Sequence, residues 1–235
     1  MFPALEVVRK DLAPLRLLWD VSAQYASQRG AWWGGKLNAI NSERMQESVH
    51  TWGKVLAQLK KVTDAHPEGG AGELRRKVAE EVESIREYLP IIASLRTRGL
   101  EKRHFQEMSR KLGINIDPAQ LTLKELQTHN LAQGRALEAI KGVSEVASKE
   151  NSIKLAVDGI EKEVREIGFA SVPYKDTKVK IIKSAEVVLQ RFEDCLVKIQ
   201  SLKGNPFAKP QAERIAKNER ELKVLQGNFE GWEQV

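Results

Sequence analysis

Apolar residues recur along most of this chain at alternating intervals of three and four, the spacing of helices that each bury one stripe. Leu5, Val8, Leu12, Leu15 and Trp19 make the first stripe, on a helix predicted to run to about Tyr25. Pro14 lies inside it, where a missing backbone donor and a crowded preceding turn predict a kink or junction near Ala13. Gly30, Gly34 and Gly35 surround Trp32 and Trp33 and mark a turn or a break between two helical stretches. Adjacent tryptophans point different ways on a helix, so at least one belongs at an inter-helix contact or on the surface.

Ser42 is the expected cap of a second helix carrying Met45, Val49, Trp52, Leu56 and Leu59, with Lys60 and Lys61 in its last turn and an end before His66. Residues 66–72 hold three glycines and a proline, sustain neither periodicity, and are read as a disordered loop. Leu74, Val78, Val82, Ile85 and Leu89 then predict a third helix, stopped by Pro90. Residues 100–112 are a charged amphipathic segment, broken after Leu112 by Gly113, Asp117 and Pro118. A new start follows at Thr122, whose side chain and that of Glu125 can satisfy each other's backbone donors. The pattern is that of a helix-loop-helix corner.

Leu131, Leu137, Ile140 and Val143 suggest another helix, and Ile153, Ala156, Ile160, Val164 and Ile167 a further one starting near Asn151 or Ser152. The pattern hardly breaks between them, so one helix kinked near residues 147–151 is the alternative. Residues 168–174 and 178–182 are the only stretches that read as strands, the second alternating lysines with Val179 and Ile181. Joined through Lys175, Asp176 and Thr177 they predict a two-stranded hairpin, which must pack on helices to be stable. Ser184 is expected to cap a helix bearing Val188, Phe192, Cys195, Ile199 and Leu202. After residues 204–210, a last helix places Ile215, Leu222, Leu225, Phe229 and Trp232 on one face.

The expected fold class is therefore mainly α: an elongated helical bundle rod with one small two-stranded β-hairpin near residues 168–182. Its expected divisions are N-terminal helices (1–65), a flexible glycine-rich loop (66–72), a central bundle (73–167), and hairpin with C-terminal helices (168–235).

Composition narrows the class. At 235 residues, 41% hydrophobic and 30% charged, the chain has the balance of an ordinary soluble protein. No uninterrupted apolar run of about 18 residues occurs, and the N-terminus lacks the basic-then-apolar order of a signal peptide, so neither membrane insertion nor secretion is expected. The single cysteine, Cys195, sits in an apolar series and reads as a buried thiol; alone it excludes an internal disulfide framework. The net charge of +6 arises from basic and acidic residues interleaved along helices, the pattern of solvated faces.

No catalytic, cofactor-binding or metal-ligating residue is expected from the sequence. No Gly-x-x-x-x-Gly-Lys-Ser/Thr occurs, and the Gly69, Gly70, Gly72 cluster is followed by Glu73, which would repel phosphate. His50, His66, His104 and His129 are scattered, without zinc-site spacing. His104 reads as a helix-surface residue or a packed corner. Arg96, Arg98, Lys102, Arg103, Arg110 and Lys111 form the densest basic patch, but Glu101 and Glu107 interrupt it and no nucleic-acid motif accompanies it. Neither nucleic acid nor membrane is expected as a partner. Lys175, Lys178, Lys180 and Lys183 mark hairpin edges, where lysines discourage foreign strand pairing.

The run from Leu100 to Phe105 (Leu-Glu-Lys-Arg-His-Phe), followed by Leu121 to Leu126 (Leu-Thr-Leu-Lys-Glu-Leu), resembles the second N-terminal region of dynein heavy chains, which forms the motor's linker. The family usually has Trp where Phe105, Val164 and Asn218 stand, and the segment around Ile160, Phe169, Pro173 and Tyr174 is similar to its helix-into-hairpin stretch. Leu222, Leu225 and Trp232 are similar to its closing helix, and Leu17, Leu18, Trp19 and Asp20 are more like axonemal members. The resemblance extends over about residues 2–235. It implies a non-catalytic mechanical lever that transmits ATP-driven change in a ring, elsewhere in a longer chain, into microtubule-based movement. It further implies no cofactor in this segment, with ATP and magnesium in the parent motor. The implied partners are the rest of the heavy chain, with intermediate or light chains or neighbouring axonemal subunits, in the cytoplasmic cytoskeleton or a ciliary axoneme. Residues 66–72 and 204–210 are then candidate junctions between blocks. The rival reading is a free-standing helical-bundle adaptor.

Overall fold

The computed structural model describes residues 3–65, 70–176, 178, 180–183 and 185–233. The chain is mainly α, and its single sheet among the described residues is a two-stranded hairpin. It divides into two compact units, Met1–Glu145 and Val146–Val235.

In the first unit α1 (Pro3–Gly34) is longer than its periodicity suggested, running unbroken through Trp32 and Trp33 with Pro14 inside it. Packing carries it past the expected end. Trp32 lies against Trp52 with ring centroids 5.5 Å apart, and Trp33 meets Tyr88 edge-on at 5.8 Å. The buried face of α1 is Leu18, Val21, Tyr25 and Trp32; the expected stripe of Val8, Leu12, Leu15 and Trp19 is exposed instead. The physical reason is that α1 carries two apolar faces roughly a third of a turn apart, and only one meets α2 and α3.

α2 (Ser42–Asp64) buries Met45, Val49, Trp52, Leu56 and Leu59, the stripe its spacing marks. Its cap is Asn41 rather than Ser42: the Asn41 Oδ1 accepts from the Arg44 N–H at 3.0 Å. The expected disordered loop falls largely outside the described residues, which resume at Gly70, the cap of α3. Its backbone, at φ +69°, lies in the left-handed region that glycine tolerates.

α3 (Ala71–Leu95) is not stopped by Pro90, which lies within it. Beyond the proline Ile91, Ile92 and Leu95 are buried in the same core as Val78, Val82 and Ile85, and this burial offsets the lost backbone bond.

α4 (Lys102–Leu112) ends at Gly113, φ +70°, and α5 (Leu123–Thr128) follows. Between them the Ser109 hydroxyl donates to the Phe105 carbonyl at 2.8 Å and accepts from the Ile116 N–H at 2.9 Å, holding the corner. The capping box at α5 forms as expected. Glu125 N–H donates to Thr122 Oγ1 at 3.2 Å, and Thr122 N–H to Glu125 Oε2 at 2.9 Å.

α6 (Gly134–Arg165) is one helix, which decides between the two readings of that stretch. It gives Ile140 and Val143 to the first core and Ile153, Val157 and Ile160 to the second.

In the second unit β1 (Ala170–Pro173) pairs antiparallel with β2 (Lys180–Lys183), in the register Ala170 to Lys183 through Pro173 to Lys180. Thr177, Val179 and Ser184, the last the expected cap, lie outside the described residues. α7 (Ala185–Lys203) buries Val188, Phe192, Cys195 and Ile199. A 3-10 turn, Pro206–Gln211, leads into α8 (Ala212–Glu233). Of the α8 stripe, Ile215, Leu222 and Phe229 are buried, spaced by seven, whereas Leu225 and Trp232 are exposed.

Thr122→Ala and Glu125→Ala should each lower the stability of the first unit by about 1 kcal/mol, and the double variant by less than their sum, because each removes the same reciprocal cap. Denaturation followed by circular dichroism reads the cycle.

Candidate functional site

Residues 100–105 and 121–126 occupy the corner between α3, α4 and α5, and one partly buried polar arrangement organises it. Arg96, in the first position past α3, directs its Nη1 at three carbonyls of the loop between α1 and α2: Ile40 at 2.7 Å, Leu37 at 2.8 Å and Asn38 at 3.3 Å. A loop of that kind has carbonyls without helical partners, and a guanidinium is suited to collect several at once. The same loop is stitched to the start of α5, where Leu37 N–H donates to the Leu121 carbonyl at 2.8 Å within an antiparallel pairing of Lys36 and Thr122. α1, α2, α3 and α5 are thereby tied at one point.

His104 fixes the neighbouring turn. It is 3% exposed, and its Nδ1 accepts the Glu101 N–H at 2.9 Å, closing the N-terminus of α4. It belongs to a packed corner, and its buried ring is occupied with capping. Phe105 stands half-buried at the rim of a cleft of about 290 Å³, beside Leu37, Leu95, Arg96, Leu100 and Leu121.

Three of the six cations of the basic run are engaged within the molecule. Besides Arg96, Arg103 Nε lies 3.0 Å from Glu101 Oε2 and Lys111 Nζ 2.9 Å from Glu107 Oε1. Lys111 holds the Glu107 carboxyl below its ordinary range.

In the second unit the polar centre is Arg214 on α8. Its Nη2 reaches Asp158 Oδ1 at 2.7 Å and Glu161 Oε2 at 2.8 Å, both on α6, while Asn218 Nδ2 donates to Glu161 Oε1 at 3.0 Å. The Arg214 guanidinium, with Asn218 beside it, holds the Glu161 carboxyl below the usual carboxylate range. On α8 Glu219, bracketed by Lys203 and Lys223, is held down at about 2. Val164 and Asn218, two positions where the resemblance calls for Trp, line one cavity of about 220 Å³ with Ile160, Leu222 and Leu225.

These groups clamp helix ends and pair helices. Among the described residues no three His, Cys, Asp or Glu side chains gather as metal ligands. Cys195 is fully buried, and burial pushes its thiol up, away from the thiolate that chemistry requires. Arg96 was invisible as a clamp from sequence because its acceptors are 56 to 59 positions away. Its setting among other cations made it look like surface charge.

The family described as dynein heavy chain, N-terminal region 2, matches residues 5–235. The chain is 32% identical over 228 residues to dynein axonemal heavy chain 1 of Mus musculus, covering 95% of this chain and 5% of that protein. It is 25% identical over 232 residues to dynein axonemal heavy chain 3 of Homo sapiens, covering 98% and 6%. Against dynein axonemal heavy chain 12 of Rattus norvegicus the identity is 24% over 241 residues, covering 100% and 8%. The chain thus spans 5 to 8% of the length of these relatives.

Arg96→Ala should cost the first unit about 2 kcal/mol, since it strands carbonyls of a partly buried loop, and Arg96→Lys should recover less than half of that. Denaturant titration of the three proteins provides the comparison. The Glu161 effect carries a sign. Its folded pKa is lowered, so its contribution to stability is complete above the ordinary 4.5 and is lost as pH falls from there through the folded value. Arg214→Gln should flatten the stability profile of the second unit in that acid window and leave its slope unchanged between pH 6 and 8.

Proposed function

The chain belongs to the dynein heavy chain, N-terminal region 2 family, and on that premise we propose that it is the linker segment of a dynein heavy chain, a mechanical element that performs no reaction itself. Its role is to pass nucleotide-driven change in an ATPase ring, borne by another part of a longer chain, into microtubule-based movement. The axonemal relatives favour a ciliary or flagellar setting, with the remainder of the heavy chain as the first partner.

The observation that carries the reading is where the polar chemistry goes. Arg96, His104, Thr122 with Glu125, and Arg214 with Glu161 are all spent on capping and cross-linking helices. A lever needs helical blocks that hold their shape under load, and buried seams locked by such contacts supply that. ATP and magnesium act in this proposal on the ring alone.

A full-length heavy chain carrying Leu56→Ala and Ile85→Ala tests it. Each change opens a cavity in the core shared by α2 and α3, costing about 2 to 5 kcal/mol. Gliding velocity per ATP hydrolysed should fall severalfold while ATP turnover persists. Unchanged gliding, or loss of ATP hydrolysis in step with gliding, would count against the lever.

A further inference from the structure

The first stripe in the sequence is the one the fold leaves bare. Val8, Leu12, Leu15 and Trp19 are 52%, 54%, 44% and 68% exposed, although α1 is otherwise buried through Leu18, Val21, Tyr25 and Trp32. In the first unit the exposed large apolar side chains among the described residues are these four, Leu17 and Val62, so five of six fall within twelve positions of one helix. Scattered apolar residues are ordinary on a surface, whereas a contiguous stripe marks an interaction site.

The spacing of the stripe defines what fits it. Intervals of four, three and four place Val8 and Leu15 at d and Leu12 and Trp19 at a of a heptad, with Ser22 and Ala26 continuing the series. Beyond Trp19 the seam opens into a groove of about 410 Å³ between α1 and α3, floored by Ala23, Ala26 and Val78. Small residues there admit another helix at close range. From Val8 to Ala26 the track is ~27 Å long at 1.5 Å per residue, or five helical turns.

Charge selects the occupant. Arg9 and Arg16 sit at both e positions on one flank, seven residues apart, and Lys77 stands exposed across the groove; none has an acidic partner among the described residues. Asp11 is the acid on the other flank. At the far end Arg29 is already engaged by Glu81 at 3.6 Å. A second copy of the chain does not fit. Antiparallel seams face e to e, setting arginine against arginine, and a parallel pair would match Asp11 with Arg16 and leave Arg9 unmatched. Leu18, Val21, Tyr25 and Trp32 of such a copy are also committed to its own core and cannot enter the groove.

We propose that α1 is one strand of a coiled-coil-like seam completed by an amphipathic helix of a separate polypeptide, with Leu or Ile at its a and d positions and carboxylates on the edge facing Arg9 and Arg16. The seam lies within the first unit and does not depend on the lever assignment.

The probe is a fluorescent 21-residue peptide with Leu and Ile at a and d and Glu at e and g, which repels itself and is unfolded alone; a Lys-edged version is the control. Added to the 235-residue chain, the Glu-edged peptide should gain anisotropy and helical circular dichroism, and the Lys-edged one should bind at least tenfold more weakly. Leu12→Asp with Leu15→Asp, at exposed positions, should reduce binding more than tenfold without moving the melting curve. Arg9→Glu with Arg16→Glu should reverse the peptide preference. Binding by neither peptide, equal binding by both, or binding that survives the aspartates overturns the proposal. So does sedimentation showing a dimer of the chain that the aspartates dissolve, which would give the seam to a second copy, or aspartate-sensitive binding to phosphatidylserine vesicles, which would give it to a membrane surface.

Discussion

Burial of narrow apolar seams between antiparallel helices is the constraint from which everything else in this chain follows. With one cysteine and no disulfide to form, each unit has to be held by its core. In the first, Met45, Val49, Leu56, Ile85, Ile91 and Ile92 are all at or below 1% exposure, and α2 and α3 supply every one of them. At roughly 1.5 to 3 kcal/mol for each fully buried aliphatic side chain, such a seam outweighs any single polar contact. Ion pairs are numerous, but exposed pairs one turn apart, such as Lys162 with Glu166 and Lys217 with Glu221, are each worth only a few tenths of a kcal/mol.

The polar groups that matter act where seams end. Helix termini leave carbonyls and amides without helical partners, and at the starts of α2, α4 and α5 side chains meet some of those groups. Arg96 gathers carbonyls of the loop after α1, His104 closes α4, and Thr122 with Glu125 closes α5. In the second unit Arg214 does comparable work between α6 and α8. The result is two units whose helices are pinned laterally by apolar contact and at their ends by directed hydrogen bonds.

Much of this was legible in the sequence where a single periodicity dominated. The α2 stripe, the Thr122 and Glu125 box, the hairpin and buried Cys195 each rest on local information, and the fold follows it. The failures have local causes too. α1 carries two apolar faces, and intervals of three and four cannot say which one meets the core. Pro90 reads as a stop because its cost is local, whereas the burial of Ile91, Ile92 and Leu95 that offsets it is tertiary. The boundary between the two units falls near Glu145, inside α6, where the helix runs on past Gly142 without a break. As for the corner, the motif located it, but the Arg96 clamp depends on acceptors more than fifty positions away.

The proposed lever role requires that these 235 residues neither bind nor hydrolyse nucleotide by themselves. The most direct measurement is isothermal titration calorimetry and a phosphate-release assay on the purified chain with ATP and magnesium. The expected result is no heat of binding beyond dilution, no phosphate released above the buffer rate, and an unaltered helical spectrum. Saturable nucleotide binding or turnover by the pure chain would contradict it.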